Sequence, residues 1–407
     1  LPAGVQALLS FNHTREEAGK VLDSTALFHH LPGGGGIRVA SQMLAAMAGS
    51  FRWRIHCPEG SPDPGLGTAL PLAVYPFPGA RRLSGVRRLL APVTLLARLA
   101  GLRSACREAA VRINAEADRA LVHNSMVVAA PPVLEHLRVP SVYFCYEYPR
   151  HIYEPELIRR TRRAAARALL APVRRAERRM DLRSASAADR IVTFSSYMAD
   201  EIARIYRRDA EIVRPGVDTG AFEPGSGEGD GYVLSVGALW PYKGHGLALQ
   251  ALSRIPEGRR PGFLVVADRE LPGYGDGLRR EAGRLGVDMA IRAGLSDGEL
   301  AACYRRASVV LCCQAREPYG LVPLEAMACA RPVVAVNEGG FSDNVTSGET
   351  GLLVPRSADA VADAVSSILG DGKLARRLGE AGREFVALRR TVEGAAARLA
   401  DIISSTG

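Results

Sequence analysis

The stretch that could do the most chemistry is Glu317-Pro318-Tyr319-Gly320-Leu321-Val322-Pro323-Leu324-Glu325-Ala326-Met327-Ala328. It follows the apolar run Val309-Val310-Leu311, which reads as a buried parallel strand. A helix is expected to begin near Gly320 and to carry Leu321, Leu324, Met327 and Ala328. The amides of Tyr319, Gly320 and Leu321 would then stand at the positive end of that helix. This is a ready anion site, and Gly320 lets a phosphate come close. Glu317 lies before the helix and Glu325 about a turn and a half inside it. Two carboxylates beside an anion site do not suit phosphate alone. They suit a ligand with hydroxyls on either side of a diphosphate, each carboxylate accepting hydrogen bonds. The plainer alternative makes Glu317 an N-terminal helix charge and Glu325 a surface residue.

Strands and helices alternate around this stretch. A strand-like run, Val21 to Phe28, enters the glycine turn Gly33-Gly34-Gly35-Gly36, and Ala40, Met43, Leu44 and Met47 then recur at helical spacing. Strand, glycine turn and helix open a βαβ unit. Further strands are expected at Trp53–Cys57, Leu70–Phe77, Ala120–His123, Val142–Cys145 and Arg190–Phe194. Residues 83–115 read as helix broken near Pro92, and residues 156–189 as helix interrupted at Pro172. The segment Glu223–Gly231 reads as a linker, and alternation restarts at Tyr232–Val236. The expected organisation is an extension over 1–19, a Rossmann-like domain over 20–218, a second over 219–390, and a C-terminal helix over 391–407 that packs back on the first. The fold class is α/β: two tandem Rossmann-like doubly wound domains with an interdomain cleft.

The 407 residues carry a net charge of +9, with 47% hydrophobic and 23% charged residues, which fits a globular protein drawn to something anionic. Seven scattered cysteines without a C-x-x-C argue against a disulfide framework or a zinc site and point to the cytoplasm. No apolar run is long enough to span a bilayer. Arginines cluster over Arg81–Arg107 and Arg159–Arg179, the first beside Leu83, Val86, Leu89, Leu90, Val93, Leu96 and Leu99. One reading is a solvated helix face. The other is peripheral contact with anionic membrane, at the inner face. Nucleic acid is the weakest partner, since no motif for it is present.

The Glu, seven residues, Glu spacing resembles the signature of glycosyltransferase family 4. The resemblance continues through Ala328-Cys329-Ala330-Arg331-Pro332-Val333-Val334-Ala335, Gly339-Gly340 and Gly348–Val354. Upstream it includes Leu234–Leu239, Lys243-Gly244, and Arg214-Pro215-Gly216-Val217-Asp218 with Phe222. It covers residues 190–356 well and the N-terminal half loosely. It implies the GT-B fold and a retaining transfer of a hexose-type sugar from a nucleotide diphosphate. The acceptor would be a hydroxyl of a small molecule or a lipid-linked compound. No cofactor and no obligatory metal are implied. Glu325 should bind the nucleotide ribose and Glu317 the donor sugar. The amides of Tyr319, Gly320 and Leu321 should hold phosphate and sugar, with Gly237 lining the donor site and Lys243 pairing with the diphosphate. Relatives carry Arg where this chain has Ala238, which removes one expected cation, and commonly Gly at Ala330.

In the N-terminal half, Gly33–Gly36 takes the place of the family's glycine loop, so that the backbone at Gly35 and Gly36 would approach the donor phosphate or the acceptor. His123 resembles the family's strand-end histidine that contacts the donor sugar, and Tyr146 stands where many relatives have another histidine. Arg38, Glu147 and Arg150 are acceptor-side candidates. A front-face displacement follows, with Lys243 and the amides stabilising the leaving diphosphate. The rivals are a phosphorolytic or hydrolytic sugar enzyme, a sugar-nucleotide-binding protein with little catalysis, which Ala238 favours, and a membrane-surface adaptor.

Overall fold

The computed structural model describes residues 22–62, 70–77, 91–158, 164–225, 227 and 229–407. The N-terminal extension lies outside these residues. So do Leu83, Val86, Leu89, Leu90 and the arginines at positions 81, 82, 87, 88, 159, 160, 162 and 163. The chain forms two compact units: Leu1–Phe194, Met198–Arg214 and Ala395–Gly407 make the first, and Ser195–Tyr197 with Pro215–Gly394 the second.

In the first unit, seven strands pair in parallel: β1 (Ser24–His30), β2 (Arg52–Pro58), β3 (Leu72–Tyr75), β4 (Arg119–Ser125), β5 (Ser141–Phe144), β6 (Arg190–Thr193) and β7 (Glu211–Ile212). Their order is β3-β2-β1-β4-β5-β6-β7. Leu27 of β1 lies between Ile55 and Leu121, and every residue of β1 is buried. Covered on both faces, the central strands read as apolar runs, while the edge strand β3 alternates exposed and buried residues. Helices α1 (Gly35–Ala46), α2 (Ala91–Glu116), α3 (Ala164–Ala187) and α4 (Ser196–Tyr206) connect them.

Pro92 lies beside residues 78–90, which are outside those described, so the break expected there falls outside the description. One proline acts differently from the sequence expectation. Pro172 lies inside α3, and the helix continues through it. The lost backbone hydrogen bond is offset by burial of one helical face: Val173, Glu177, Asp181, Ser184 and Ala185. Asp181 anchors that face. It accepts from the Ala130 amide at 2.9 Å, the Tyr206 hydroxyl at 2.8 Å and the Tyr153 hydroxyl at 3.3 Å. Burial nevertheless pushes its carboxyl up to about 6.

The second unit has six parallel strands: β8 (Tyr232–Val236), β9 (Gly262–Ala267), β10 (Met289–Ala293), β11 (Val309–Cys312), β12 (Val333–Val336) and β13 (Leu352–Val354). Their order is β10-β9-β8-β11-β12-β13. Between them run α5 (His245–Arg254), α6 (Tyr274–Leu285), α7 (Asp297–Arg306), α8 (Leu321–Ala328), α9 (Ala358–Gly370) and α10 (Gly372–Arg389). The Gly-rich segment Glu223–Gly231 packs within this unit. Arg331 donates to the Gly227 carbonyl at 2.7 Å, the Asp230 amide bonds the Arg306 carbonyl at 2.8 Å, and Gly229 lies against Ser308. Its glycines permit close approach to α7 and β11, and the chain enters the second unit earlier, at Pro215.

The last helix, α11 (Val392–Ser404), joins the first unit from Ala395 onward. Arg119 on β4 caps its C-terminal end, donating to the carbonyls of Ile403, Ser404 and Thr406 at 2.8, 2.9 and 2.9 Å. In both sheets the strand order reverses beside the first strand, between β1 and β4 and between β8 and β11. Such switch points leave a crevice outside the carboxyl ends of the strands, where ligands bind.

Candidate functional site

At the switch point of the second unit, β8 ends into Gly237-Ala238 and β11 into Cys313-Gln314-Ala315-Arg316-Glu317. Gly244 ties the two loops together. Its backbone is left-handed at φ 81°, and a Cβ there would lie 1.9 Å from the Cys313 carbonyl oxygen, so only glycine fits. The single turn Pro241–Lys243 ahead of it aims Lys243 at Glu317, and Nζ donates to Oε2 at 2.9 Å. The two side chains are 23% and 19% exposed, so ligand can still reach the pair. Glu317 is held by its backbone: the Gly340 amide donates to its carbonyl at 2.7 Å, and a Cβ on Gly339 would strike the same oxygen.

Helix α8 starts at Leu321 behind Gly320, whose φ of 88° and contact with the Phe341 ring both demand glycine. Gly320 at the N-cap has no side chain to cap this helix start, and Pro323 in its first turn has no N–H of its own. The Tyr319 ring is buried and its hydroxyl donates to the Pro215 carbonyl at 2.6 Å. Asn344 Nδ2 fixes the turn by donating to the Tyr319 carbonyl at 2.8 Å. Glu325 is 2% exposed and accepts from the Tyr304 hydroxyl at 2.6 Å. That burial overturns the alternative in which Glu325 is a surface residue.

Two polar residues at this switch point escaped the sequence reading. His245 is fully buried at the start of α5. Its Nε2 lies 3.2 Å from the Gly237 carbonyl and 3.3 Å from that of Ala238, and its Nδ1 lies 3.1 Å from the Ser235 hydroxyl. Burial, with Lys243 adding a smaller push, lowers its pKa to about 4. The neutral ring donates through Nε2 and accepts from Ser235, which fixes the loop holding Gly237 and Ala238. Gln314 donates to the Val236 carbonyl at 3.3 Å, and its buried Oε1 has no partner among the described residues. The signal for His245 was its place directly after Lys243-Gly244. Gln314 had only its place three residues before Glu317.

At the switch point of the first unit, Gly33–Gly36 leads from β1 into α1. A Cβ added at Gly36 would meet the Tyr146 ring at 3.5 Å, while Arg38 in the first turn of α1 is half-buried. His123 on β4 is 2% exposed, with Nδ1 2.7 Å from the Tyr146 hydroxyl. Burial, helped by His29, lowers its pKa to about 3. Glu147 and Arg150 form an ion pair with each other, and Arg150 lies 3.7 Å from the buried carboxylate of Glu154. The structure thus brings these two acceptor-side candidates together as partners. Each unit gathers its own candidates: Gly35, Gly36, Arg38, His123, Glu147 and Arg150 in the first, and Gly237, Lys243, Glu317, Tyr319, Gly320, Leu321 and Glu325 in the second.

Residues 218–385 match the family described as glycosyl transferases group 1. The matched residues lie within the second unit. A D-inositol 3-phosphate glycosyltransferase from Kribbella flavida is 38% identical over 223 residues, 49% of this chain and 52% of that one. A GDP-mannose-dependent alpha-(1-6)-phosphatidylinositol monomannoside mannosyltransferase of Mycobacterium tuberculosis is 35% identical over 238 residues, 52% of this chain and 61% of that one. The chain spans about half the length of the relatives it matches in sequence. Among solved structures, Anabaena HepE in complex with UDP and glucose superposes with a TM-score of 0.69. It is 18% identical and covers 94% of this chain and all of its own. Sucrose-phosphate synthase of Thermosynechococcus elongatus gives the same TM-score at 20% identity, over 93% of this chain and 98% of its own. At that identity the likeness is one of fold: α/β, two Rossmann-like domains, GT-B. No helix among the described residues is long and apolar enough to cross a membrane.

Proposed function

We propose that this protein is a retaining glycosyltransferase that moves a hexose from a nucleoside diphosphate sugar to a hydroxyl of a polyol phosphate, free or carried on lipid. The observation that carries the proposal is the gathering of Lys243, Glu317 and the uncapped start of α8 at one switch point, inside the segment that matches the glycosyl transferases group 1 family. In this reading the α8 amides and Lys243 hold the diphosphate. Glu317 accepts hydrogen bonds from the donor sugar's hydroxyls, and Glu325, held by Tyr304, accepts from the ribose. The donor's arrival shifts Lys243 from Glu317 toward phosphate and leaves the carboxylate to the sugar.

As the sugar–phosphate bond breaks, negative charge grows on the leaving diphosphate. Lys243 and the helix start stabilise it in place, so the chemistry we propose needs no metal. A leaving phosphate oxygen takes the acceptor's proton on the face where the new bond forms, which retains configuration. The acceptor class comes from the relatives, two of which are named for inositol 3-phosphate and phosphatidylinositol monomannoside. We place the protein in the cytoplasm, with peripheral contact to anionic membrane where a lipid-linked acceptor is used. Val93 and Leu96 are 64% and 41% exposed on α2, which supports that contact. Leu99 is 6% exposed and belongs to the core, so it leaves the apolar face that the sequence suggested.

The test is transfer of labelled hexose from UDP-, GDP-, ADP- and TDP-sugars to inositol phosphate and to phosphatidylinositol vesicles. Product from one nucleotide series, with the donor's anomeric configuration kept, is the expected result. An inverted product contradicts the mechanism. Sugar release to water or phosphate alone, with no acceptor product, contradicts the transferase reading.

A further inference from the structure

His123 presents a chemical asymmetry that the reading above does not use. Its Nδ1 is 2.7 Å from the Tyr146 hydroxyl, while its buried Nε2 has no hydrogen-bond partner among the described residues. A neutral imidazole has one N–H and one lone pair, so the Tyr146 contact decides which nitrogen carries the proton. Burial raises the Tyr146 hydroxyl well above its ordinary value, so it keeps its proton. His123 is the one partner the described residues give that hydroxyl. The phenol proton is therefore directed at Nδ1, and the imidazole proton is left on Nε2.

Tyr146 is fixed firmly enough for this task. Its ring packs edge-on against Phe194 at 4.6 Å between centroids and tilted against Phe144 at 5.1 Å. Its amide donates to Asn124 Oδ1 at 3.0 Å, and Asn124 Nδ2 donates to the Glu147 carbonyl at 2.6 Å, which pins the backbone on both sides of the ring. A buried N–H without an acceptor is destabilising until an oxygen arrives to accept it.

We infer that Tyr146 is a positioning residue that holds His123 as the Nε2–H tautomer, so that the imidazole presents a hydrogen-bond donor to a ligand hydroxyl at the switch point of the first unit. This rests on the glycosyl-transfer reading for the identity of the ligand, but not for the tautomer.

Side-chain NMR of the full chain labelled with nitrogen-15 histidine reads the tautomer directly, and the His123 signal is the one lost in His123→Gln. The parent is expected to show protonated Nε2, and Tyr146→Phe, which keeps the ring and removes the hydroxyl, to lose that preference. A parent protonated at Nδ1, or an unchanged tautomer in Tyr146→Phe, overturns the inference, and the parent spectrum decides it even if the variant does not fold. In turnover, Tyr146→Phe should lower kcat about tenfold with KM for the nucleotide sugar unchanged. That loss should shrink below about twofold in a His123→Gln background, where the amide nitrogen stands in for Nε2–H without any tautomer to set. Equal loss in both backgrounds overturns the inference. A parent that transfers no sugar to any acceptor defeats the glycosyl-transfer reading instead, and the tautomer result then still decides the role of Tyr146.

Discussion

Lys243 Nζ and Glu317 Oε2 stand 2.9 Å apart across the ends of β8 and β11, each side chain about one-fifth exposed. An ion pair this accessible to water adds about 1 kcal/mol or less to stability. Its value lies in placing a cation and an acceptor together before a ligand arrives. Lys243→Ala is expected to shift Tm by no more than a few degrees while lowering kcat on the order of 100-fold. Glu317→Ala should likewise act mainly on turnover. Thermal melts and steady-state kinetics on the same preparations check this, and a large loss of Tm with unchanged kcat would assign the pair to the fold alone.

Glu325 and Tyr304 make a different pair, buried and joined at 2.6 Å. Glu325→Ala removes the acceptor that the Tyr304 hydroxyl bonds at 2.6 Å, a loss of about 1–3 kcal/mol in stability. It should also weaken nucleoside diphosphate binding by roughly thirtyfold, or about 2 kcal/mol. Glu325→Ala combined with Tyr304→Phe should recover much of the stability and none of the binding. Calorimetric titration beside thermal melts separates the two effects. Recovery of binding in the double variant would remove Glu325 from the site.

Ala330 follows α8 in the left-handed region at φ 54°. Arg331 N bonds the Ala326 carbonyl at 2.9 Å and Ala330 N that of Met327 at 2.8 Å, closing a helix end that favours glycine at this position. Ala330→Gly relieves the strain, offset in part by greater freedom of the unfolded chain. A gain of about 1 kcal/mol in urea unfolding is expected, with turnover unchanged. A loss of stability would mean that the Ala330 methyl contributes more than its backbone strain removes.

Four of the buried histidines, His30, His56, His123 and His245, contribute to the acid response. Burial lowers His30 and His123 to about 3 and His56 and His245 to about 4. Unfolded histidines bind protons near 6.5, so the stability these four contribute is complete above that pH and is lost as pH falls toward 4. Asp181, raised to about 6, acts in the opposite direction between about 4 and 6, since its folded form holds the proton more tightly. Tm should therefore fall from pH 7 to 4.5, and fall more steeply in Asp181→Asn, which lacks the offset. A Tm that is flat over this range, or a shallower slope in the variant, contradicts the assignment.

Much of the fold was legible because fully buried parallel strands are short apolar runs. Tyr232–Val236 is the plainest case, and the helix expected near Gly320 begins one residue later. What escaped depends on contacts between distant segments. Pro172 reads as a break, but the buried face around Asp181 holds the helix together. Glu223–Gly231 has the composition of a linker, yet Arg331 and α7 hold it in place. At the candidate site, the spacing of Glu317 and Glu325 was visible, but their partners come from elsewhere in the chain, Lys243 from the turn before α5 and Tyr304 from α7. His245 and Gln314 bind backbone carbonyls at strand ends, and neither periodicity nor composition encodes a carbonyl's position.

The central claim is that the second unit binds a nucleoside diphosphate at the start of α8 beside Lys243. The most direct measurement is a thermal-shift panel of UDP, GDP, ADP and TDP and their sugars, each with and without Mg²⁺, on the parent and Glu325→Ala. The account predicts a rise in Tm with one nucleotide series, independent of Mg²⁺ and lost in Glu325→Ala. At a ligand concentration about 100-fold above Kd, the stabilisation is about 2.7 kcal/mol, a shift of several degrees. No shift with any nucleotide in the folded parent contradicts it, and would mean that a chain with Ala238 in place of a second cation does not hold the donor.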